Sequence, residues 1–178
     1  MDYRSVLSND SDCDMTMTLP FDVNAFLAEP LRPAQVASVT RSGTPILGSL
    51  WFLFAEGRFW FSSRPRTPLA MAAMSGTEVA IIVDEFSPPE NIRQVRVRGY
   101  GRVEPHDPAR VEEMYRRYLG DDLGAWPDPF RVRPQDPTWA LWAVTPTSGV
   151  AVAYPYFEEH KHRWEEPRDS PLAPADSN

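Results

Sequence analysis

Seven strand-length runs of apolar and β-branched residues, each bounded by turn-forming residues, limit what this chain can fold into. They cover residues 36–40, 46–55, 58–63, 78–86, 92–104, 138–144 and 149–154. Glu56 and Gly57 separate the second run from the third, which predicts a β-hairpin with a two-residue turn. Helix signals are confined to three segments. Asp22 is placed to cap a short helix that ends before Pro30, and Thr67, Pro68 and Gly76 bracket a second. Asp107 and Pro108 open the third, in which Val111, Met114, Tyr115, Tyr118 and Leu119 form an apolar stripe that Gly120 terminates. Residues 121–137 hold four prolines and read as an irregular loop.

Many short strands with few helices predict a mostly β fold, a six- to seven-stranded antiparallel barrel with peripheral helices. Runs 46–55, 78–86 and 138–144 are apolar on both faces. One face fills the barrel. The other must also be covered, because large exposed apolar patches are unusual in monomers, so a homodimer is expected.

The 178 residues suit one domain, and 42% apolar content supplies its core. Residues 1–18 and 158–178 are polar and are expected to be disordered tails around a domain spanning 19–157. The net charge of −7 argues against general binding to nucleic acid or to an anionic membrane. Cys13 is the only cysteine, which excludes a disulfide within the chain and a cysteine zinc site. There is no apolar run of membrane-spanning length and no basic-then-apolar leader, so a cytoplasmic protein is expected. His160 and His162, beside Glu158 and Glu159, are a candidate metal or haem pair, although a solvated segment is the simpler expectation. His106 is expected to be exposed. Trp51, Trp60, Trp139 and Trp142 are expected to anchor the core or an interface, with one available to stack on a ring. Trp126 belongs either to a lid or to a packed crossover.

Within "IRQVRVRGYG" (92–101) successive residues must point to opposite faces of a strand. If Val95 and Val97 point inward, Gln94, Arg96 and Arg98 point outward together. The stretch "RQVRVRG" resembles the "RQVRVEG" of the pyridoxamine 5′-phosphate oxidase superfamily. "GRFWFSS", "GTEVAIIV" and "LGAW" resemble further segments of that superfamily, in the same order over residues 20–154. The resemblance implies the FMN-binding split barrel, a homodimer with FMN in clefts between subunits, and a flavin contact from Gln94. An amide can offer both a donor and an acceptor to the polar edge of a flavin. Ser62 and Ser63 stand where the superfamily carries a Tyr-Thr pair that helps hold the flavin phosphate.

The superfamily's usual Arg-Lys phosphate anchor is replaced here by Pro68 and Leu69. Arg66 and Thr67, with the neighbouring Arg64, are the substitute candidates, aided by free N–H groups at the helix start. Arg96, Arg98 and Arg117 are candidates to orient an anionic substrate. Glu113 and Asp121 replace a tyrosine and a serine that grip the substrate phosphate in true pyridoxamine phosphate oxidases, so oxidation of that vitamer is not expected. The implied function is an FMN-dependent oxidoreductase acting on a small organic molecule by hydride transfer. The alternatives are the same fold with a deazaflavin coenzyme or haem, and a non-catalytic dimeric binding protein.

Overall fold

The computed structural model describes residues 19–172. The expected tail 1–18, with Cys13, lies outside the described residues, as do residues 173–178. In chain order the elements are α1 (Val23–Ala28), β1 (Ala34–Val39), β2 (Pro45–Leu50), β3 (Leu53–Ala55), β4 (Arg58–Ser63), α2 (Pro68–Met74), β5 (Glu78–Ser87), β6 (Asn91–Glu104), α3 (Pro108–Leu119), α4 (Asp128–Val132), β7 (Ala140–Ala153) and β8 (His160–Trp164). The strands form one sheet in the order β2-β1-β5-β6-β7-β4-β3, with β8 joined to β7. Every pairing is antiparallel.

Period-two alternation explains how the sheet wraps its core. Val36 of β1, Val79, Ile81 and Val83 of β5, Val95 and Val97 of β6, and Trp142, Val144 and Ala151 of β7 are buried in one cluster. Phe59 and Phe61 of β4 join them. Val23, Phe26 and Leu27 of α1, and Leu69, Ala70 and Ala73 of α2, add to the same cluster. A second cluster lies where α3 lays Val111, Met114 and Tyr115 against Leu53, Trp60, Leu141 and Ala143. Asp107 caps α3 by accepting the Arg110 N–H at 3.1 Å, and Gly120 ends it at a φ of 82°. The Tyr118 hydroxyl ties α3 to the barrel. It accepts the Phe52 N–H at 3.0 Å and donates to the Arg32 carbonyl at 3.0 Å.

The β3–β4 hairpin is as expected, with Glu56 at φ 56° and Gly57 at φ 69° making the turn that two-residue hairpins favour. Three differences from the sequence expectation have physical causes. Run 46–55 divides into β2 and β3 at Trp51 and Phe52, where the chain leaves one part of the sheet for the other. Runs 138–144 and 149–154 are one continuous strand despite Pro146. The register slips between Arg98 and Gly99, so Thr147 is passed over and Pro146 falls opposite Gly99. A Cβ on Gly99 would lie 2.1 Å from the Thr145 carbonyl oxygen, so the slip requires glycine there.

The third difference corrects the expected tail from residue 158. His160–Trp164 pairs with Gly149–Ala153 as an eighth strand, and Trp164, 2% exposed, belongs to the main core. Gly149 makes room for it, since a Cβ there would sit 2.4 Å from the Trp164 ring. Leu172, beyond the strand, is buried in the same cluster. The expected loop 121–137 also holds regular structure, the short helix α4 between single 3₁₀ turns. Among the described residues no helix is long and apolar enough to cross a membrane.

Two stability changes follow. Trp164→Ala removes a core indole and is expected to lower the unfolding free energy by about 3–5 kcal/mol, read from urea midpoints at unchanged m. Tyr118→Phe leaves the buried Phe52 N–H without its acceptor and should cost about 1–3 kcal/mol in the same assay.

Candidate functional site

The strand that supplies Val95 and Val97 to the core presents Gln94, Arg96 and Arg98 on its other face, as the alternation requires. Cross-strand register extends that face into rows. Ile82 of β5 pairs with Arg96, Arg96 with Val150 of β7, and Val150 with Arg163 of β8. The adjacent row runs from Ala37 through Ala80 and Arg98 to Ser148. These residues, with Gln35, Leu47 and Glu165, line a groove of about 430 Å³. Its floor is apolar, from Ala37, Ala80, Ile82 and Val150, and the guanidinium groups of Arg96, Arg98 and Arg163 border it.

Gln94 and Arg96 are coupled. The Arg96 Nε donates to the Gln94 carbonyl oxygen at 3.1 Å, and its Nη2 donates to the same oxygen. That contact occupies the acceptor of the amide and leaves its NH₂ free to donate. Arg98 is exposed and its side chain reaches the groove. Leu47 lines both this groove and a neighbouring hollow of about 400 Å³ that contains Ser63, Thr67 and Pro68.

The expected phosphate cradle does not form as a unit. Its members face three hollows. Ser63 and Thr67 face the one just described, and Arg64 and Arg66 face another of about 560 Å³ beside Asp136 and Trp139. Ser62 faces a third. The Ser63 hydroxyl is already engaged, accepting the Trp142 indole N–H at 3.1 Å and donating to the Arg64 carbonyl at 3.3 Å. Thr67 occupies the N-cap position of α2, but its side chain makes no cap hydrogen bond and instead sits 3.4 Å from the Ser63 hydroxyl. The expected capping role is corrected accordingly. α2 has only seven residues and begins with Pro68, which has no N–H.

Arg117 is also placed differently from the expectation. Its Nε and Nη2 donate to the Glu29 carbonyl at 3.2 and 2.7 Å, and its Nη1 donates to the Phe52 carbonyl at 3.1 Å. Its guanidinium lies 4.1 Å from the centre of the Phe52 ring. Burial pushes its pKa down, and its donors are spent holding α1 and β3 to α3. It borders a separate hollow with Glu113 and Asp121, away from the Gln94 face.

The histidines are accounted for by register. His160 and His162 pair with Ala153 and Ala151, whereas Lys161 and Arg163 pair with Val152 and Val150 on the groove face. The histidine pair therefore points to the side opposite Gln94. His106, expected to be exposed, has both ring nitrogens buried without a hydrogen-bond partner. Among the described residues no three His, Cys, Asp or Glu side chains gather as a metal site. Trp126 is packed, 2% exposed, with its indole N–H on the Gly120 carbonyl at 2.9 Å. Arg163 and Glu165 were missed as groove residues because their segment reads as a polar tail. The available signal was the alternation of Lys161, Arg163 and Glu165 against His162 and Trp164.

Solved structures share this fold at low identity. The conserved hypothetical protein Rv2991 from Mycobacterium tuberculosis is 15% identical with a TM-score of 0.60, covering 91% of this chain and 93% of its own. General Stress Protein 26 from Bacillus anthracis is 12% identical with a TM-score of 0.56, covering 80% and 96%. HutZ, the haem storage protein from Vibrio cholerae, is 13% identical with a TM-score of 0.55, covering 86% and 100%. No curated protein matches the chain. Residues 22–153, from the cap of α1 to the end of β7, match the family described as pyridoxamine 5′-phosphate oxidase. With an open antiparallel sheet of eight strands and its helices at the periphery, the chain belongs to the pyridoxamine 5′-phosphate oxidase family and has its split-barrel fold.

Proposed function

We propose that the chain is an FMN-dependent oxidoreductase acting on a small organic molecule, with the flavin ring against the outer face of β6. The observation that supports this is the Gln94 amide, which shares the outer face of β6 with Arg96 and is hydrogen-bonded by it, Arg96 itself lining the apolar-floored groove. Ala37, Ala80, Ile82 and Val150 offer a surface for a planar ring, and the Gln94 NH₂ offers a donor to a ring acceptor. When bound, a flavin supplies hydride transfer to or from its ring. This chain's residues bind and orient: Gln94 fixes the ring edge, while Arg96 and Arg98 attract an anionic substrate to the groove mouth.

The groove is open along one side, and exposed Leu47 lies at its rim. A second copy of the chain over this face would bury Leu47 and exclude water from the ring, so the active form is proposed to be a homodimer. Haem finds less support, because His160 and His162 face away from the groove. A deazaflavin coenzyme would use the same floor and the same amide donor, and direct titration separates it from FMN. A non-catalytic dimer predicts no flavin uptake.

The purified protein is expected to take up FMN on titration, with bands of bound flavin in its visible spectrum. Neither FMN nor riboflavin binding, or a Soret band in place of flavin bands, overturns the proposal. Gln94→Leu removes one hydrogen bond to the ring and should weaken flavin binding by about three- to tenfold without lowering the melting temperature. Sedimentation of the wild-type protein should give a dimer, and Leu47→Glu should shift it toward monomer.

A further inference from the structure

Arg133 differs from the other half-buried arginines. Arg32, Arg58, Arg93, Arg110 and Arg116 each meet a glutamate, and Arg117 is satisfied by two backbone carbonyls. Among the described residues no carboxylate lies within 4.0 Å of the Arg133 guanidinium. The group is nevertheless held in place. Its centre lies 4.7 Å from the Phe130 ring and 4.5 Å from the Trp139 ring. Such rings fix a cation without neutralising it.

The arginine borders a hollow of about 240 Å³ that also contains Ser62, Tyr115 and Trp51. Three distant parts of the chain meet here: the end of β4, the buried side of α3 and the turn after α4. Burial pushes the Tyr115 phenol up in pKa, against the opposing effects of Arg133 and Ser62 beside it. At neutral pH the group is therefore a phenol that can donate, not a phenolate that would repel an anion.

We propose that Arg133, with the hydroxyls of Tyr115 and Ser62, forms an anion subsite that takes a phosphate monoester. The geometry carries this independently of the flavin proposal. A guanidinium held partly out of water with no counter-charge is a desolvated cation whose cost an incoming anion offsets. The guanidinium fork and two hydroxyls supply donors for three phosphate oxygens, more than a carboxylate can use. Trp51, Phe130 and Trp139 give apolar contact to whatever carries the phosphate. Two sources share this chemistry: the phosphate of the proposed flavin, and a phosphorylated substrate.

The test titrates wild-type protein and Arg133→Gln with phenyl phosphate, following tryptophan fluorescence. Arg133→Gln should weaken binding at least about tenfold, Arg133→Lys should restore part of it, and binding should weaken as salt rises. Tyr115→Phe should weaken it less. Unliganded melting temperatures check that the variants fold, as expected for a half-exposed position. No phenyl phosphate binding by the wild type, or equal binding by wild type and Arg133→Gln, overturns the proposal. FMN and riboflavin identify the source. FMN weakened in Arg133→Gln with riboflavin unchanged assigns the subsite to the cofactor phosphate. Both flavins unchanged, with phenyl phosphate weakened, assigns it to a substrate. Failure of both flavins to bind the wild type rejects the flavin proposal and leaves the phenyl phosphate result to decide this one.

Discussion

The antiparallel pairing of β5, β6 and β7 is the interaction on which the rest of the structure depends. These long strands zip together over most of their length and put Val79, Ile81, Val83, Val95, Val97 and Ala151 on one side. A sheet has two faces, so burying those residues commits Gln94, Arg96 and Arg98 to the other. A one-residue slip would send the arginines into the core, at a cost that no local gain could match. The core thus dictates the chemistry of the outer groove.

That logic is local and repeats every second residue, which is why most of it was legible in the sequence. The barrel strands, the Glu56–Gly57 hairpin and the Asp107-capped helix are encoded by neighbours within a few positions. So was the outward placement of Gln94. The continuity of β7 across Pro146 was not, because the slip that accommodates a missing N–H is set by the partner strand at Gly99. The eighth strand was hidden for a similar reason. "HKHRW" has one large apolar residue, and only the vacancy at Gly149 in another strand shows where it goes.

The site was legible in part and for the same cause. Period two placed Gln94, Arg96 and Arg98, whereas side chains gathered from separate elements could not be assigned. Ser62, Ser63, Arg66 and Thr67 are neighbours in sequence, yet they face different hollows: Ser62 and Ser63 point to opposite faces of β4, and the turn before α2 carries Arg64 and Arg66 away from the hollow that Ser63 and Thr67 share. Arg117 looks like a ligand from its position on α3, but it serves as a brace between two backbone carbonyls. Arg133 had only a weak local signal, Phe130 three positions before it. Its isolation from carboxylates and its meeting with Trp139, Tyr115 and Ser62 exist only after folding.

The slot that Gly149 leaves for Trp164 bears on the order in which the molecule is completed. During synthesis β7 leaves the ribosome before β8, so the Gly149–Ala153 edge waits with unpaired N–H and C=O groups beside an open gap in the core. Such an edge is a template for pairing with another chain. The indole closes the gap and the strand covers the edge in one late step. The segment His160–Trp164 therefore protects the nascent barrel against association with its neighbours, and a chain released before residue 164 would be exposed to it.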